Sequence, residues 1–200
     1  MSASVNGRLT VAAPQTTVRD RYAAGEIAAY YESGFWQPSS FYGLVDLQAR
    51  ARPDKTFVVD STTSLSYAEF RERALRLAVG LRQRGIEAGD RVAVQLPNFT
   101  EFPLLAVALS RLSAITVPIM PIYRDDEVKY VLQHSGAVAA VTCQTFRGFD
   151  HLAMFARVMP ECADLRLLLA ARATAELDSG VATPLTELMA EGDEQALEVE

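Results

Sequence analysis

The stretch Leu65–Pro121, LSYAEFRERALRLAVGLRQRGIEAGDRVAVQLPNFTEFPLLAVALSRLSAITVPIMP, reads as the end of a strand, a capped helix, a strand, a helix and a strand. Ser66 stands three residues before Glu69, so its hydroxyl can accept from the Glu69 N–H while the carboxylate reaches back to the Ser66 N–H. A helix starts here. Phe70, Ala74, Leu77, Ala78 and Leu81 recur at helical spacing, with Arg71, Glu72, Arg73, Arg76, Arg82 and Gln83 mostly on the opposite, wet face. Arg82 and Arg84 suit the negative end of the helix dipole, and Gly85 supplies the left-handed conformation that ends a helix.

Gly89-Asp90 turns the chain into Arg91–Leu96, a short, β-branched and nearly all apolar run that suits a strand covered on both faces. Pro97-Asn98 closes it, and Asn98 with Glu101 offers a second cap. Pro103 disfavours helical geometry at Phe102, so the next helix is expected from about Pro103 to Leu112. Ile115–Ile119 reads as another buried strand. Strand, crossover helix and strand imply parallel pairing.

The alternation continues to Ala170. Asp125, Asp126 and Glu127 favour the start of a helix that runs through His134 and ends at Gly136, and Ala137–Thr142 reads as a strand. A helix over about Asp150–Met159 and a strand at Leu165–Leu169 follow. The expected fold class is α/β, a mostly parallel sheet with flanking helices. Upstream, an amphipathic helix is expected within Arg19–Trp36, ending near Gly34, and another over Leu44–Arg52, stopped by Pro53. Residues 1–40 are thus read as a leader, 41–170 as the α/β unit and 171–200 as an acidic linker.

Charge supports that division. The chain of 200 residues carries a net charge of −6, and Ala173–Glu200 holds eight acids and no Lys or Arg, against nineteen bases and seventeen acids elsewhere. The tail reads as a solvated linker with one short helix near Leu185–Ala190. No run of eighteen apolar residues predicts a membrane span, and Met1–Arg19 is polar, a loose leader without the apolar core of a secretion signal. Cys143 and Cys162 show no metal-ligand spacing and read as reduced thiols of a cytoplasmic protein. No basic stripe with interleaved aromatics suggests nucleic acid.

The hexapeptide Leu65–Phe70, then Gly89–Val94 with Leu96-Pro97-Asn98, then Ala114–Pro121, resemble in order and spacing the N-terminal part of the AMP-forming acyl-CoA synthetases of the adenylate-forming superfamily. Asp46-Leu47, Pro53-Asp54-Lys55 and Glu127–Ser135 extend the resemblance to about Phe41–Leu169. Asp20–Trp36 looks most like the branch acting on alicyclic, aromatic or medium-chain acids, as in cyclohexanecarboxylate-CoA ligases. The resemblance implies an incomplete, N-terminal part of the adenylate-forming fold. One departure is Ser113, where the family usually carries glycine; a non-glycine residue at positive φ there costs about 1 kcal/mol.

The resemblance further implies two steps: a carboxylate attacks the α-phosphate of Mg-ATP to give an acyl-adenylate and pyrophosphate, and the CoA thiol then displaces AMP. The family's phosphate loop, magnesium glutamate, ribose-binding acid and lid lysine have no counterparts here. No two of the eleven glycines are adjacent or separated by one residue. Lys55 and Lys129, the only lysines, read as surface residues. No catalytic, cofactor-binding or metal-binding residue is therefore assigned, and ATP, Mg and CoA are expected only of a full-length relative. His134 and His151 show no acid–nucleophile arrangement, with His134 placed for the helix dipole. Asp125–Glu127 reads as a helix start rather than a cation site. Tyr30-Tyr31 and Phe35-Trp36 read as packing of the leader helix, with an acyl pocket as the alternative.

Three functional readings remain. The sequence favours the N-terminal portion of an acyl-CoA ligase, as an expression fragment, truncated gene product or split-gene fragment, inactive alone and partnered by the missing remainder. The second is an interaction or regulatory protein that docks on a full-length relative. The third is a small independent nucleotide-binding domain.

Overall fold

The computed structural model describes residues 21–173, 180 and 182–191. Met1–Arg19 and the acids of the tail other than Glu187 and Glu191 lie outside them. The chain divides into two compact units, residues 1–38 and 39–200.

In the first unit the helix α1 (Ala24–Glu32) is shorter than the sequence suggests and buries none of its residues. Glu26 accepts from the Ala23 N–H at 2.8 Å and so anchors its start. Gly34, at φ +73°, follows its end. Tyr22, Tyr30 and Tyr31 gather around Trp36 with ring centroids 4.9–5.9 Å apart, a small aromatic cluster within this unit.

The second unit opens with α2 (Phe41–Ala51), which begins three residues earlier than expected because Ser40 accepts from the Gly43 N–H and caps it. The strands β1 (Thr56–Val59) and β2 (Ser64–Ser66) form an antiparallel hairpin. The helix α3 (Tyr67–Gln83) starts on the expected capping box: the Glu69 N–H donates to Ser66 Oγ at 3.3 Å, and the Ser66 N–H donates to Glu69 Oε2 at 2.8 Å. Gly85 takes φ +79° after its end.

Then come β3 (Arg91–Gln95), α4 (Glu101–Arg111), β4 (Ile115–Pro118), α5 (Asp125–Ser135) and β5 (Ala139–Cys143). A two-pair hairpin, β6 (Thr145–Phe146) and β7 (Phe149–Asp150), leads into α6 (His151–Val158). A 3-10 turn (Met159–Glu161), β8 (Leu167–Ala171), β9 (Thr183–Pro184) and α7 (Leu185–Glu191) complete the described chain.

The sheet order is β4-β3-β5-β8-β9, with every pair parallel. The strands' period of two sorts the core onto its faces. Val92, Val94, Val141 and Leu169 face the cluster built with α3, α4 and α7, whereas Ala93, Ala140 and Leu168 face the one built with α5 and α6. Each fully buried Leu, Val or Phe of these clusters contributes about 1.5–3 kcal/mol of transfer free energy.

Three expectations change. The helix after β3 starts at Glu101, with Pro103 third in it: the N–H groups of a first turn have no intrahelical acceptor, so proline is tolerated there. Asn98 does not cap it. Asp60, from the turn after β1, accepts from both Thr100 N at 3.0 Å and Thr100 Oγ1 at 2.5 Å. Second, β4 is an edge strand rather than a buried one, and Ile115 is 46% exposed. Third, part of the tail expected as a solvated linker is built into the unit. Thr183 and Pro184 pair with Leu169 and Ala170, and Leu185 and Leu188 are buried, because their apolar side chains complete the α3 face of the core. The proline sits on a sheet edge, where its missing donor is harmless.

Candidate ligand crevice at the carboxyl edge of the sheet

From β3 the chain first steps outward to β4, then returns to the other side of β3 to form β5 and continues through β8. The topological switch point therefore lies between β3 and β5. In open α/β sheets a ligand crevice forms outside the strands' carboxyl ends at such a point. Here those ends bear Gln95 and Thr142, both fully buried.

Gln95 is a polar residue that follows the apolar run Val92–Val94 at the end of its strand, and its amide nitrogen and oxygen are both engaged. Its Nε2 donates to Met120 O at 2.9 Å and to Tyr123 O at 3.2 Å. Carbonyls only accept, so the amide orientation is settled. Its Oε1 then faces His151 Nδ1 at 3.1 Å, which must carry the proton. His151, the first residue of α6, is 1% exposed. Its Nε2 is buried without a hydrogen-bond partner among the described residues. Phe149 packs edge-on against the imidazole at 5.0 Å, and Phe146 lies 6.5 Å away. Burial, helped by the nearby Arg124 charge and opposed by Asp150, lowers the His151 pKa, so the ring is neutral near pH 7. Arg124 itself lies 4.0 Å from the Phe149 ring centroid and donates to Pro121 O and Tyr123 O.

A second polar cluster joins the carboxyl end of β8 to the β1–β2 turn. Arg172 donates to Asp60 and, at 3.0 Å, to Glu101, and its guanidinium lies 3.9 Å from the Phe99 ring centroid. Asp60 Oδ1 also receives the Thr62 and Thr63 N–H groups at 2.8 and 2.9 Å. The Thr100 hydroxyl first, then the Thr62 and Thr100 N–H groups and Arg172, outweigh burial and hold the Asp60 carboxyl far below the usual carboxylate range. Burial would lower the Arg172 pKa, but its bonds to Glu101 and Asp60 raise it. A cleft of about 370 Å³ beside this cluster is lined by Phe57, Val59, Asn98, Phe99, Phe102 and Pro103 among others.

The residues weighed from sequence are scattered. Lys129 pairs with Glu161 at 3.3 Å, and Lys55 is exposed in the turn before β1. Asp125 pairs with Arg157 at 3.0 Å, and Glu127 accepts from the Arg124 N–H at the start of α5. His134, in the last turn of α5, stacks on Tyr130 at 5.4 Å. Cys143 and Cys162 are buried free thiols on opposite faces of the sheet, and burial raises both pKa values. Tyr30, Tyr31 and Trp36 pack on one another.

Arg172 is committed to two carboxylates, Lys129 to Glu161, and no group of three His, Cys, Asp or Glu able to hold a metal occurs among the described residues. Sequence reasoning missed the Gln95–His151 pair. The available signal was the glutamine at the carboxyl end of a strand expected to be buried on both faces.

Comparison with known proteins agrees with this architecture. The model of the family described as AMP-binding enzyme matches residues 45–195. Triostin synthetase I of Streptomyces triostinicus is 38% identical over 66% of this chain and 25% of its own length. The 2,3-dihydroxybenzoate-AMP ligase of Bacillus subtilis is 33% identical over 81% of the chain and 29% of its own. Among solved structures, apo MbtA of Mycobacterium smegmatis superposes with a TM-score of 0.74 at 30% identity, covering 86% of this chain and 31% of that one. The chain thus spans about a quarter to a third of the relatives it matches. Its parallel α/β sheet is that of the N-terminal domain of adenylate-forming enzymes, and the chain belongs to the AMP-binding enzyme family.

Proposed function

We propose that this chain is the N-terminal part of an AMP-forming ligase that activates a fatty, alicyclic or aromatic carboxylic acid through an acyl-adenylate, and that it is inactive alone. Within that enzyme it serves as scaffold. The observation that carries the reading is the partial coverage of relatives named as AMP or CoA ligases, joined to buried polar groups at the sheet's carboxyl edge that are engaged with one another and with the backbone. ATP, Mg and CoA are then held by segments other than the described residues. A phosphate must be met by backbone donors and a mobile cation, and Gln95, Asp60 and Arg172 are already engaged. No helix among the described residues is long and apolar enough to cross a membrane, in keeping with a cytoplasmic ligase.

ATP–pyrophosphate exchange with a panel of fatty, alicyclic and aromatic acids tests the reading on the gene product that includes the downstream reading frame. Acid-dependent label incorporation is expected. A downstream frame and neighbouring genes without a glycine-rich loop ending in Pro-Lys, together with no exchange for any acid, would contradict it.

A further inference from the structure

We propose that His151 is a positioning residue: through Gln95 it fixes the loop Met120–Arg124, which follows β4 at the carboxyl edge of the sheet, beside the switch point. The bonds run in one direction. His151 Nδ1–H donates to Gln95 Oε1 at 3.1 Å, and this turns the amide nitrogen toward Met120 O and Tyr123 O at 2.9 and 3.2 Å. With Oε1 held, the amide cannot flip, because a flipped amide would set its oxygen against two carbonyls that only accept. From the other side, Arg124 donates to Pro121 O and Tyr123 O and rests on Phe149. The Tyr123 N–H closes the loop on Met120 O at 3.0 Å.

Both ends of the clamp are themselves rigid. Gln95 ends the buried strand β3, and His151 begins α6 under Phe146 and Phe149, with its own N–H donating to Gln144 O at 3.0 Å. The loop between them holds Met120 and Ile122 54% and 64% exposed. A fixed backbone carrying exposed apolar side chains beside the switch point is a preorganised contact surface. This inference rests on the hydrogen bonds among His151, Gln95 and the loop, and only its use in catalysis rests on the ligase reading.

The experiment compares the wild-type chain with His151→Leu, His151→Asn and Gln95→Leu. Asparagine Nδ2 stands where histidine Nδ1 stands, so it restores that donor without the imidazole ring. Nitrogen-15 NMR of the wild-type imidazole is expected to show Nδ1 protonated and Nε2 bare. Amide exchange at Tyr123 is expected to accelerate at least about tenfold, relative to amides of β5, in His151→Leu and Gln95→Leu, and to return to within about twofold of wild type in His151→Asn. A proton on Nε2 in the wild type, unchanged Tyr123 exchange in the leucine variants, or no rescue by asparagine would overturn the proposal. If His151→Leu does not fold, Gln95→Leu and the wild-type tautomer still decide it. Failure of pyrophosphate exchange in the longer gene product would sink the ligase reading and leave these results untouched.

Discussion

Gly80 of α3 and Leu188 of α7 meet backbone to backbone: a Cβ placed on Gly80 would lie 2.4 Å from the Leu188 carbonyl oxygen. Gly80 sits in a helix interior, where alanine is favoured by about 1 kcal/mol. The close approach outweighs that preference and lets Leu185 and Leu188 reach the core, with Arg84 and Glu187 pairing at 3.0 Å beside them.

Gly80→Ala is therefore expected to destabilise the chain by about 1–2 kcal/mol net, the overpacking cost less the gain in helix propensity. Urea denaturation would measure it, and limited proteolysis would show cleavage within Thr183–Glu191 before the rest of the unit.

Ser113→Gly should move stability the other way. Ser113 holds φ +57° after α4, the conformation expected from the family's glycine at this place, and its carbonyl accepts from the Gly89 N–H at 2.9 Å. Relief of a left-handed non-glycine residue is worth about 1 kcal/mol. A rise in urea midpoint with unchanged slope is the expected result.

Arg172→Leu leaves Asp60 and Glu101 facing one another without their shared cation. Because the arginine side chain is 23% exposed, the expected loss is about 1–3 kcal/mol rather than the full cost of a deeply buried orphan charge. Glu101→Gln should recover part of it in the double variant, a coupling that a double-mutant cycle reads directly.

Asp60 and His151 contribute to the pH dependence with the same sign. Asp60 has a depressed folded pKa, so its contribution is complete above the unfolded value of about 3.9 and is lost as pH falls below it. His151 is kept neutral by burial and Arg124, so its contribution is complete above about 6.5 and drains away as pH falls through its lower folded pKa. Stability followed from pH 8 to pH 4 should decline from about pH 6.5 downward, and His151→Asn should remove that first decline.

The edge strand β4 exposes Ile115, and Met120 and Ile122 lie just beyond it. An exposed apolar parallel edge favours association. The chain is expected to self-associate as concentration rises, and Ile115→Lys to shift sedimentation toward monomer.

Local chemistry made much of the fold legible. The Ser66–Glu69 box, Gly85 and Gly136 act within one turn of chain, and the buried runs of β3, β5 and β8 announce a parallel sheet. What stayed hidden depends on distant partners. Asp60 caps α4 from forty residues away, and His151 meets Gln95 across fifty-six. No periodicity encodes such pairings. The edge position of β4 was equally illegible, since Ile115–Ile119 is apolar whether one neighbour or two flank it.

The central claim is that these residues are scaffold and that the reaction is carried elsewhere in the enzyme. ATP–pyrophosphate exchange on the folded 200-residue chain alone, with the same acid panel, tests it most directly. No exchange above the protein-free background is the predicted result. Acid-dependent exchange that is abolished by Arg172→Leu and retained by a surface Lys129→Ala variant would contradict it.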